Sequence, residues 1–120
     1  MRHTSRAIII KDKKILLLTG HDAGFYWTPG GGIEDGETSV GAVHRELREE
    51  LNVDIVAFSH YLAYEFENKS VSSYMVDIDQ ELSIGNEITG YVWYSKGDDI
   101  KLSRGFEFVL LPKLISDGLL

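Results

Sequence analysis

Glu46, Glu49 and Glu50 crowd into RELREE at residues 45–50, shortly after three consecutive glycines, Gly30, Gly31 and Gly32. On a helix advancing about 100° per residue from Leu47, Val40, Val43 and Leu51 lie within roughly 40° of it. On that construction Glu50 falls near about −60°, Glu46 near about −100° and Glu49 near about −160°. All three carboxylates therefore flank one side of an apolar stripe. Like charges four apart on a helix cost a few tenths of a kcal/mol, and a cation relieves them. An all-oxygen donor set suits a hard ion, magnesium or manganese. Glycines let backbone approach a ligand closely, with carbonyls free for a metal and amides free for a phosphate oxygen. Together these groups suit metal-assisted attack of water on phosphorus, with one carboxylate taking the proton. Taken singly, RELREE suits a solvated helix face and GGG a flexible loop. Their joint spacing is what points to chemistry.

The elements around this segment are legible in outline. Ala7 to Ile10 and Ile15 to Leu18 are apolar runs split by KDKK, which predicts two strands and a turn. Residues 20–32 predict a long glycine-rich loop with Pro29 in it. Thr38 or Ser39 caps a helix running to about Leu51, with Asn52 placed to end it in the left-handed conformation. Gly41 inside that helix costs roughly 1 kcal/mol against alanine, so something packs closely there. Val53 to Phe66 and Val71 to Ile78 predict strands joined by a turn at ENKS, and TGYVWYS predicts another. Phe106 to Ile115 predicts a helix broken at Pro112, packed as core. Strands, helix, strands and helix in that order predict a mixed sheet with helices on its faces.

Gly31, five residues, Glu37, seven residues, then Arg45-Glu46-Leu47-Arg48-Glu49-Glu50-Leu51-Asn52-Val53 resembles the Nudix box of the Nudix hydrolase family, the MutT-type pyrophosphohydrolases. One fixed position differs: Asn52 stands where the family has glycine. The change concerns helix termination and leaves the carboxylates intact. The resemblance implies the α/β Nudix fold, an α/β/α sandwich with a mixed β-sheet, across residues 1–120 as one domain. It implies a metal-dependent hydrolase that cleaves the pyrophosphate bond of a nucleoside diphosphate linked to another group. Glu49 and Glu50 match the principal metal-binding glutamates, and the Gly31 carbonyl matches a further ligand. Glu46 matches a position that binds metal or acts as base. Arg45 matches an arginine paired with the glutamate at Glu37, holding loop to helix. Family members often recruit another glutamate from a loop near the sheet; Glu87 is the candidate here, against its reading as an ordinary loop acid.

Trp27 and Tyr26 precede the glycines and either stack on a base or pack in the core. Trp27 and Gly30 to Gly32 are the candidate substrate contacts. Tyr61, Tyr64 and Tyr74 suit sheet positions, and His21 and His44 lack the partner spacing of a histidine metal site. The alternative function is a Nudix-fold module that senses a nucleotide without cleaving it. Such a relative would usually have lost one of the three glutamates, and all three are present.

Bulk properties bound the partners. The 120 residues fit one domain, and 43% hydrophobic residues argue against disorder. A net charge of −7 disfavours nucleic-acid polymers but not a small phosphorylated ligand beside a cation. Cysteine is absent, so thiolate metal sites and disulfides are excluded. No apolar run reaches a membrane span, and the apolar stretch near the N-terminus is too short for a secretion signal. A cytoplasmic protein acting on a small nucleotide-like substrate is expected. Strands after the box could pair between subunits as a homodimer, though nothing in the sequence demands it.

Overall fold

The computed structural model describes residues 1–120. In chain order the elements are β1 (Arg2–Ile8), β2 (Ile10–Lys11), β3 (Lys14–Gly20), β4 (Gly30–Gly32), α1 (Ser39–Leu51), β5 (Ala57–Phe66), β6 (Lys69–Asp77) and β7 (Ile88–Tyr94). A π-helical turn at Phe106–Leu110 then runs into α2 (Leu111–Ser116). The strands form two sheets, a four-stranded one ordered β4-β1-β6-β5 and a three-stranded one ordered β2-β3-β7. The first is mixed, since β1 and β6 run parallel while β4 and β5 pair antiparallel to their neighbours.

Both faces of the strands are covered, so β3 needs no polar alternation in ILLL. Leu16 and Leu18 join Ala7, Ile9, Val43, Leu47 and Leu51 in the core under α1. Ile15 and Leu17 join Ile8, Phe106, Leu110 and Leu114 in the core under the C-terminal helix. This is the α/β/α layering of the sequence reading. Two tight hairpins set register: Asp12 and Lys13 have φ of 52° and 59°, and Glu67 and Asn68 have 46° and 61°. Successive left-handed residues give the turn whose twist matches an antiparallel pair.

Four expectations need correction. The first apolar run is not one strand; the chain crosses from one sheet to the other at Ile9, between β1 and β2. The glycines are not loop but strand: Gly30, Gly31 and Gly32 pair with Arg6, Ser5 and Thr4. The strand after α1 starts at Ala57 and not at Val53, because Val53 is spent filling the core beneath the helix. Pro112 does not break the last helix. It occupies the first turn of α2, where its missing N–H costs nothing, and the distortion lies one turn earlier. There the Leu111 N–H reaches Phe106 O, five residues back, a widening that accommodates the proline ring near the carbonyl four residues before it.

Helix α1 begins at Thr38, whose Oγ1 accepts from Gly41 N–H at 2.9 Å. Such a cap contributes about 1 kcal/mol. The helix ends at Asn52 with φ 56° and ψ 38°, and the Asn52 N–H returns to Arg48 O.

Candidate active site

Glu50 decides where α1 meets β4. The side chain is on the border of the buried stripe and only 7% exposed. Its Oε1 accepts from Gly30 N–H at 2.8 Å. Burial pushes its carboxyl up to about 8, helped by the neighbouring Glu46 charge and opposed by the Gly30 N–H. Gly30 sits at φ 135°, and a Cβ there would fall 2.1 Å from Ser5 O, so the strand can close on β1 only as glycine. A Cβ at Gly31 would lie 2.6 Å from Glu46 Oε1. Backbone and carboxylate are thus as close as a glycine permits.

Arg45 organises the outer carboxylates. It grips Glu37 with two hydrogen bonds, Nε to Oε2 at 2.8 Å and Nη2 to Oε1 at 3.0 Å. Nη2 also donates to Gly32 O at 3.0 Å. Nη1 donates to Glu46 Oε1 at 3.0 Å and to Glu49 Oε2 at 3.3 Å. This fork joins helix, glycine strand and the turn before α1. It holds the Glu37 carboxyl down at about 2, and Glu37 in turn raises the guanidinium above its ordinary value. The carboxylates are therefore divided, Glu50 to a backbone N–H and Glu46 and Glu49 to Arg45, and no three acidic or histidine side chains form a ready metal cage.

The donor set nonetheless fits a hard divalent ion. It is all oxygen, it includes a buried carboxylate with no cationic partner at bonding distance, and it lies beside a strand whose glycines leave room for close approach. Glu46, Glu49 and Glu50 could hold it. The Gly31 carbonyl, expected as a further ligand, is turned the other way: Gly31 falls in a hydrogen-bonded pair with Ser5, so its carbonyl faces β1, and it is Gly30 and Gly32 that present backbone to α1.

Gly30 to Gly32, Trp27, Arg45, Glu46, Glu49, Glu50 and Glu87 all line one cleft of about 880 Å³. Glu37 stands behind Arg45, outside its wall. Glu87 is exposed and pairs with His21, Oε2 to Nδ1 at 3.0 Å. His21, given no role on sequence, also stacks on Trp27. Trp27 both touches the core and faces the cleft, whereas Tyr26 packs into the core under the C-terminal helix.

Three features escaped the sequence. The Asn52 side chain donates from Nδ2 to Ser83 O at 2.6 Å. With Ser83 N to Leu51 O and Gly85 N to Glu50 O, it fastens the loop that carries Glu87 to the end of α1. Six of the twelve basic residues, Arg2, Arg6, Arg45, Lys69, Lys101 and Arg104, line the cleft of this acidic chain. Arg6, whose guanidinium burial holds below its ordinary value, spends one donor on Thr28 O. The signal for Arg2 and Arg6 was present as alternate positions on one strand, but which face they shared required the pairing.

The chain is 34% identical to an ADP-ribose pyrophosphatase of Methanocaldococcus jannaschii over 92% of its own length. It spans 64% of that relative's length. A MutT NUDIX hydrolase from Burkholderia pseudomallei superposes with a TM-score of 0.82 at 22% identity, over 92% of this chain and 95% of that one. The E. coli ORF135 protein superposes with a TM-score of 0.79 at 27% identity, over 97% and 89%. No helix is long and apolar enough to cross a membrane. The NUDIX domain family model matches residues 1–104, carrying the glycine strand, Glu37, Arg45 and the three helix carboxylates, and the chain belongs to that family.

Proposed function

We propose that this chain hydrolyses the pyrophosphate bond of a nucleoside diphosphate linked to another group, and that it needs magnesium or manganese to do so. The observation that carries the reading is the buried Glu50 carboxyl, hydrogen-bonded to Gly30 and flanked by Glu46 and Glu49 in a cleft that Arg2, Arg6, Lys69 and Lys101 also line. A divalent ion, when bound, would neutralise the diphosphate and lower the pKa of a water. Glu49 and Glu50 would hold it. Glu46 holds metal or takes the proton from attacking water. Glu87, swung free of His21, is a further ligand or base. Trp27 offers an aromatic face at the cleft wall for the nucleoside.

ADP-ribose is the first substrate to assay, since the M. jannaschii relative is named for it. Nucleoside triphosphates, dinucleotide polyphosphates and nucleotide sugars complete the panel. Magnesium-dependent appearance of AMP and ribose 5-phosphate from ADP-ribose is the expected result. No phosphate-containing product from any panel member, with either metal, would refute the hydrolytic reading.

A further inference from the structure

On the floor of the cleft, two side chains of β1 hold hydrogen-bonding capacity that the protein leaves unused. Thr4 is 1% exposed, and its Oγ1 has no partner, alone among the buried side-chain polar atoms. Arg6 carries five N–H donors. Nη1 donates to Thr28 O at 3.1 Å, and no ion pair includes this guanidinium. Residues two apart on a strand share a face. That face continues across the sheet, Thr4 beside Val71 and Val71 beside Tyr64, with Arg2 beside Lys69 one row further out. All six line the cleft.

A hydroxyl with no acceptor and a cation with no counterion are costly to keep away from water. Both lacks are met by one kind of ligand, an anionic group rich in oxygen acceptors. Arg6 pairs with Gly30, whose N–H donates to Glu50 Oε1, so this donor pair stands next to the carboxylate cluster. Arg2 adds positive charge along the same strand, its guanidinium lying over Gly32.

We propose that Thr4 and Arg6 form a phosphoryl-binding subsite, which takes oxygens of the substrate's diphosphate from the β1 side while α1 supplies the carboxylates. The inference rests on the reading that a diphosphate occupies this cleft. It adds two specificity-determining residues that lie outside the box, and it makes the protein's preference one for phosphate count and not for base.

The test is calorimetric binding to the full chain in EDTA, with adenosine, AMP, ADP and GDP as probes, together with thermal melts of each variant. Wild type binds ADP more tightly than AMP and AMP more tightly than adenosine. Arg6→Gln weakens ADP and GDP alike by about tenfold or more, the range of a hydrogen bond to a charged group, and leaves adenosine unchanged. Arg6→Lys falls between the two, since it keeps charge and loses the fork. Thr4→Val weakens ADP about threefold while Tm holds or rises, because it removes an unpaired hydroxyl without changing shape. A residue kept only for folding would lower Tm and affinity together, and that result overturns the proposal. So do equal affinities for ADP and adenosine in wild type, an unchanged ADP affinity in Arg6→Gln, or a loss larger for GDP than for ADP, which would assign Arg6 to a base carbonyl. Turnover plays no part, so a chain that binds ADP through Arg6 but never cleaves it would sink the hydrolytic reading and leave the subsite standing.

Discussion

Glu50 Oε1 and the Gly30 amide, twenty residues apart in sequence, meet at 2.8 Å and join the carboxylate helix to the glycine strand. That contact sets the depth at which the Glu50 carboxyl sits, while Arg45 ties the other two acids to Gly32.

Glu50→Gln is the first prediction. The amide keeps an acceptor for Gly30 N–H and loses the charge. Turnover with magnesium should fall on the order of a hundredfold or more, while Tm in EDTA stays level or rises because a charge-bearing buried group is gone. Retained turnover would remove Glu50 from the reaction.

The pH dependence of the metal-free protein follows from the same group. Its folded carboxyl titrates near 8 and its unfolded one near the ordinary 4.5. Between these values the folded state binds more protons, so stability should fall as pH rises from about 4.5 to about 8. Glu37 acts in a different window. Its carboxyl is held down at about 2, so its contribution is present above about 4.5 and is lost as pH falls toward 2. Melts in EDTA at pH 5.5 and 8 should show the lower Tm at pH 8, and Glu50→Gln should narrow that difference. An unchanged difference in the variant would contradict the assignment.

Gly31→Ala tests the close approach. The new methyl would sit 2.6 Å from Glu46 Oε1, the far end of a flexible side chain, so Glu46 shifts and the fold survives. Turnover should drop about tenfold to a hundredfold, as expected for a displaced reacting group, with Tm changed by only a few degrees. Full activity would mean that the position of Glu46 does not matter.

Asn52→Gly restores the residue usual in the box. Glycine accepts φ 56° at least as readily, so α1 should end where it does now. Only the Nδ2 bond to Ser83 O is lost. Hydrogen exchange should speed up across residues 82–87 and stay unchanged in α1. Equal protection in both proteins would show that the side chain does not fasten the Glu87 loop.

Local spacing was enough to place the helix, its Thr38 and Asn52 caps, the turn at ENKS, the family and the order of the carboxylates. Each of these depends on residues a few positions apart, where periodicity and backbone preference act directly. Long-range pairing decided the rest. Gly30 to Gly32 became a strand because Thr4 to Arg6 lay alongside to pair with them. The split of the first apolar run followed from which sheet each half joined. His21 met Glu87 through the closing of β3 on β7, with Gly20 opposite Ile88. The missing counterion of Arg6, the unpartnered Thr4 hydroxyl and the raised carboxyl of Glu50 are properties of burial. A chain read one residue at a time carries no record of which groups its folding will take away from water.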